Sequence, residues 1–145
     1  MTADENKEVV RQFYDAMNAH DSTAAASLWA EDAANHGRTV GRAGVEKLLG
    51  EIVQIHERSE VKEMVAEGEW VACRVVVSGT HRFRPTIPFD GGIYMITMPD
   101  GRPFTTQHMH MYRVVDGKIR EHWANRDDLG AARQLGLDLS PAEER

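Results

Sequence analysis

Two stretches of the chain carry side chains able to move protons. "QHMHMY", residues 107–112, sets His108 and His110 two apart. "REHWANRDDLG", residues 120–130, packs a Glu, a His, a Trp, an Asn, an Arg and two Asp into eight positions. Residues two apart on a strand share a face. The two imidazoles therefore project from one side and could polarise a carbonyl or bond to a carboxylate. They could equally be satisfied by backbone groups. Asp127 also has two readings. Facing an apolar cavity, its carboxyl would be desolvated and its pKa raised toward working pH, which suits proton transfer. Facing the run "LGAARQLG", it or Asp128 caps a helix. If Asp127 faces the cavity, parity puts Trp123 and Asn125 beside it and turns His122, Ala124 and Arg126 away. Glu121 would share the cavity face unless a bulge intervenes. Trp123 would then be wall, and Asn125 would orient a substrate carbonyl.

Other chemistries fit less well. His-x-His could chelate a metal, but a third ligand is needed. A Glu four or five residues after the second His would supply one, and residues 114–115 are Val-Val. No metal is expected. Cys73, the single cysteine, lies in an apolar run with no signalled base, and reads as a buried hydrophobe. There is no Gly-x-Ser-x-Gly, and "DGG" at 90–92 is a turn rather than a phosphate loop. Arg74, inside an apolar strand, needs an anionic partner. That partner is an acid across the sheet or an anionic group of a ligand.

The elements that must position these residues are legible from their periods. Thr2 and Glu5 form a capping box ahead of a helix buried through Val10, Phe13, Tyr14 and Met17. Asp21 caps a second helix, "STAAASLWA", with Leu28 and Trp29 turned inward. A third, "AGVEKLLGEIVQIHE", buries Val45, Leu48, Leu49, Ile52 and Ile55. After residue 59 the period becomes two. Residues 60–83 read as a hairpin turned at 67–69, and 104–126 as a second hairpin turned at Asp116-Gly117. Between them, "RPTIPFDGGIYMITMPDGRP" reads as a loop with a short strand from Ile93 to Met98. The 81–98 segment could be a lid over an apolar ligand, or a dimer-edge strand. Helices first and strands after mean an α+β fold in one domain, 1–145.

Four stretches together resemble one family: "NKEVVRQFYDAMNAHD", "AANHG" with "VGRAGVEKLL", "VACRVVVSGTH", and "MHMYRVVDGKIREHWANRDDLGAARQLG". They are similar to the SnoaL-like polyketide cyclases, within the nuclear-transport-factor-2-like superfamily. The resemblance implies a cone-shaped, curved antiparallel sheet wrapped around three N-terminal helices, with a short C-terminal helix. It implies that Asp127, four residues after the Trp, is the general acid/base, with His110 and His108 beside it. It places His36 at the pocket mouth, after Asn35 where the family usually has Asp. Tyr14, Trp29, Trp123, Asn125 and Arg74 complete the expected substrate contacts.

The expected function is a cofactor-independent enzyme acting on a hydrophobic, carbonyl-bearing, polyketide-like ligand. The alternatives are a non-catalytic binding or scaffold protein of the same fold, or an epoxide-hydrolase or hydroxylase-like relative. A net charge of −6 argues against non-specific nucleic-acid binding. No apolar run approaches the ~20 residues of a membrane span, and the acidic N-terminus is unlike a signal peptide. A cytoplasmic homodimer is expected.

Overall fold

The computed structural model describes residues 1–144. Helix α1, Ala3–Asn18, starts where expected, with Thr2 Oγ accepting from Glu5 N–H at 3.1 Å. Asp21 caps α2, Ser22–Ser27, accepting from Ala24 N–H at 2.9 Å. That helix ends early, and Trp29 opens strand β1, Trp29–Asn35. A tight turn at His36-Gly37, both at positive φ, leads to β2, Arg38–Thr39. Helix α3, Gly41–Ile52, is also shorter than its apolar stripe, so Ile55 and His56 lie outside it. His56 begins β3, His56–Glu67, which pairs with β4, Trp70–His81.

The next stretch departs from expectation. Ile93 to Met98 is not a strand. Gly91 and Gly92, both at positive φ, turn the chain into a single helical turn, α4, Ile93–Ile96. A short apolar run has no period of its own. Here burial decides: Tyr94 is fully enclosed and packs against Phe89, His81 and Phe104. The long hairpin follows as β5, Arg102–Val115, and β6, Lys118–Arg126, turned at Asp116-Gly117. Helix α5, Asp128–Gln134, closes the fold.

The six strands form one open, curved sheet in the order β2-β1-β6-β5-β4-β3. It is mixed rather than wholly antiparallel, because β1 runs parallel to β6. The concave face carries Val71, Cys73, Val75 and Val77 of β4 and packs against α1. The convex face leaves Met109, Met111 and Trp123 exposed.

One irregularity sets which β6 side chains face inward. Val115 pairs with Lys118 and Val114 with Ile119, but Arg113 pairs with Glu121. Arg120 is therefore an extra residue. A one-residue bulge exchanges the two faces of everything beyond it. Past the bulge, Tyr112 opposes His122, His110 opposes Ala124, and His108 opposes Arg126.

Candidate active site

Between the concave sheet and the helices lies a cavity of about 430 Å³, the size that holds a drug-sized molecule. Phe13 and Met17 of α1 and Val45, Leu48, Leu49 and Ile52 of α3 supply an apolar side. Nearly all the polar groups come from the strands and from the segment Pro88–Gly91, which lies across the cavity.

The expected faces hung on Asp127 pointing inward, and that anchor fails: the strand alternates as expected from His122 to Asp127 but with the opposite set inside. Trp123 and Asn125 are exposed on the convex side, with Trp123 43 % accessible and edge-on to His36. Neither lines the cavity; His122, Ala124 and Arg126 do. Asp127 is also displaced. Its carboxylate is exposed and accepts the backbone N–H of Gly130 at 2.9 Å, capping α5. The capping alternative describes it, and the acid/base placement does not. Replacing Asp127 with Ala should cost about 1 kcal/mol in a urea melt and leave turnover unchanged. A large loss of turnover in folded protein would return Asp127 to the site. Arg74 is outward too, gripping Glu63 through two bonds at 2.7 and 2.9 Å and Gln107 at 3.0 Å. It reaches no ligand space.

His108, His110, His36, Tyr14 and Trp29 do line the cavity. The first two belong to a continuous chain. Thr106 Oγ meets His108 Nε2 at 3.3 Å, His108 Nδ1 meets His110 Nε2 at 3.2 Å, and His110 Nδ1 meets His122 Nε2 at 2.8 Å. His122 Nδ1 then meets Asn35 Oδ1 at 2.8 Å. The Asn35 oxygen can only accept, so His122 Nδ1 donates and its Nε2 accepts. The same role passes down the chain, and all three imidazoles are neutral Nδ1–H tautomers. Burial drives this charge state. It pushes His108 down to about 4 and His122 to about 3. It holds His110 well below its ordinary value, helped by neighbouring imidazoles. Both nitrogens of each ring are engaged, so none is left for a substrate.

The same wall carries a second arrangement. His56 Nε2 lies 2.7 Å from Asp90 Oδ2, and Tyr94 Oη is 3.4 Å from the same nitrogen. Burial tends to raise the Asp90 carboxyl. The positive charge His56 carries when protonated, and its hydrogen bond, outweigh this with help from Arg126 and hold the group far below the usual carboxylate range. Among the described residues Asp90 is the one carboxylate in the cavity wall, and it is ionised. It accepts Nε2–H, so in the neutral ring Nδ1 of His56 carries the lone pair. Among the described residues Nδ1 has no hydrogen-bond partner.

Tyr14 donates to or accepts from Tyr112 at 2.5 Å, and burial pushes both phenols well up. Burial, then the charge of Arg126, lowers His36. Among the described residues no group of three or more His, Cys, Asp or Glu is placed to hold a metal. No helix is long and apolar enough to cross a membrane.

Sequence reasoning missed His56, Asp90, His122 and Arg126. His56 read as a helix end and Asp90 as a turn. The other two were turned outward because Asp127 was given the inward place, and Asp127 is the exposed cap of α5.

The chain is similar to known proteins along most of its length. The family model of SnoaL-like polyketide cyclase matches residues 7–135. Nogalonic acid methyl ester cyclase of Streptomyces nogalater is 33 % identical over 113 residues, which cover 75 % of this chain and 76 % of the relative. Aklanonic acid methyl ester cyclase DnrD of Streptomyces peucetius is 35 % identical over 83 residues, 55 % of this chain and 50 % of that one. The crystal structure of IdmH from Streptomyces antibioticus superposes with a TM-score of 0.69 at 29 % identity, covering 91 % of this chain and 99 % of IdmH. With the family model matched across nearly the whole domain and a relative covered over three quarters of its length, this chain belongs to the SnoaL-like polyketide cyclase family.

Proposed function

We propose that this protein is a cofactor-independent cyclase that closes a ring in a hydrophobic, carbonyl-bearing polyketide-like molecule, with His56 as its acid/base. The observation that carries the reading is the His56–Asp90 pair at 2.7 Å in the wall of an otherwise largely apolar cavity. His56 Nδ1 removes a proton from the carbon next to a carbonyl, leaving an enolate. The enolate carbon bonds to a second carbonyl carbon of the same molecule. The π pair of that carbonyl moves to its oxygen, and His56 returns the proton there. The reaction is an isomerisation, and nothing is oxidised or reduced. Asp90 holds the productive tautomer and steadies the imidazolium formed on the way. The cavity holds the two ends together, which supplies much of the acceleration.

The neutral histidine chain has a different part. With every nitrogen occupied, it shapes a polar but uncharged wall and ties Asn35 on β1 to the long hairpin. The compounds named in the relatives, nogalonic and aklanonic acid methyl esters, are the first to assay. Wild-type protein should convert one such ester to its cyclised isomer. His56→Gln should stay folded and lose about 10²–10⁴ of the rate. Binding without any conversion across a panel of such keto esters would favour a non-catalytic binding protein. Full activity in the variant would remove His56 from the mechanism.

A further inference from the structure

Arg126 is a buried cation short of acceptors. Its guanidinium offers five N–H donors, its side chain is 14 % exposed, and it lines the cavity. Among the described residues it makes no hydrogen bond. Its Nε is enclosed and unpartnered. Asp90 Oδ1 stands 3.9 Å from that nitrogen and Asp128 Oδ1 3.5 Å, close enough for charge but not in bonding geometry. Taking such a group out of water is costly unless its protons are satisfied. The nearest backbone gives way to it, because a Cβ added at Gly91 would lie 3.4 Å from Arg126 Nη2. The guanidinium is held in place beside the His56–Asp90 pair with its donors unused.

We propose that Arg126 receives the electrophilic carbonyl oxygen of the substrate and holds the oxyanion that forms there. The inference rests on the cyclase reading above and adds a second catalytic residue to it. A neutral carbonyl is the ground-state partner that fits. A ligand carboxylate would have to sit beside ionised Asp90, whereas a carbonyl brings no charge until the new carbon–carbon bond forms. The π pair then moves onto the oxygen, and Arg126 neutralises it until the proton arrives from His56. An interaction that strengthens only as charge develops lowers the barrier without tightening ground-state binding. The other polar groups of this wall suit the role less well, and Arg38, the second guanidinium lining it, is exposed on β2. His108, His110 and His122 are neutral with both nitrogens engaged, and Tyr14 and Tyr112 bond to each other.

The test needs no substrate. 2-Hydroxyanthraquinone is a flat phenol whose ionised form absorbs at longer wavelength, so it imitates an oxyanion on an aromatic ligand. Titrated in the presence of wild-type protein, the bound dye should ionise at least about one pH unit below the free dye. Arg126→Gln should abolish that shift while still binding the dye. Arg126→Lys, which keeps a charge, should retain part of it, and serves if the Gln variant folds poorly. His56→Gln should leave the shift in place. An equal shift in wild type and Arg126→Gln would overturn the assignment to Arg126 and leave the cyclase reading standing. No binding of the dye, or of neutral anthraquinone, to wild type would overturn both.

Discussion

Lowering the pH from 7 to 5 should strip the fold of most of its stability. His108, His110 and His122 are buried and neutral in the native state, with His108 near 4 and His122 near 3 against an ordinary 6.5. Once unfolded, each takes up a proton as the pH drops below 6.5, and the native protein does not follow until about 4. The unfolded state binds more protons across that window, so stability falls as pH falls through it and the loss flattens below about 4. Each imidazole contributes about 1.4 kcal/mol per pH unit, or roughly 2 kcal/mol between 6.5 and 5. His108 and His122 together contribute roughly 4 kcal/mol, a large share of the stability of a small domain, and His110, also held below its ordinary value, acts in the same direction. Asp90 does not offset this, since its carboxyl stays ionised in both states at pH 5. Denaturant midpoints at pH 7, 6 and 5 would give the slope, which should exceed about 2 kcal/mol per unit near pH 5. A slope under about 1 kcal/mol per unit would mean that the chain is charged or broken in solution.

Asp90→Asn should have the largest effect on catalysis. The amide keeps the shape but cannot serve as the charged acceptor of His56 Nε2–H, and its NH₂ favours the opposite tautomer. In that tautomer Nδ1 carries the proton and no longer acts as a base. A loss of about 10²–10⁴ in kcat is expected, with a smaller change in KM. His56→Gln should lose a similar factor, and the double variant little more, because residues that act as one unit are not additive. Losses that multiply would show that Asp90 and His56 work independently. A melt at pH 7 separates this from unfolding, since the histidine chain is untouched.

Much of the fold is legible in the residues. Capping at Thr2 and Asp21, the apolar stripe of α1 and the Asp116-Gly117 turn each follow from local chemistry, and each stands where expected. The family resemblance is carried by those same stretches. The site is less legible, for two reasons. Face assignment along β6 hangs on Asp127 as its inward anchor, and counting by twos from the turn would repeat the error, because Arg120 is an extra residue that nothing distinctive announces. His56 and Asp90 are 34 residues apart and meet only because the aromatic packing of Phe89 and Tyr94 pulls their segment onto the sheet. Asp127 misled for the opposite reason. An Asp before a helical run satisfies the cap and the acid equally well in sequence, and only the hydrogen bond to Gly130 separates them.

The carboxylate of the cavity wall is not on the scaffold. Asp90 rides on the segment between β4 and β5, which Glu51 tethers through the backbone N–H groups of Thr86 and Ile87. A displacement of that segment large enough to admit a ligand would carry Asp90 away from His56. In such an open state His56 would lack the carboxylate that sets its tautomer, and the proposed base would be reassembled only as the segment returned. Because access and reactivity travel on one stretch of chain, exchanging that stretch between relatives would transplant a chemistry along with an entrance.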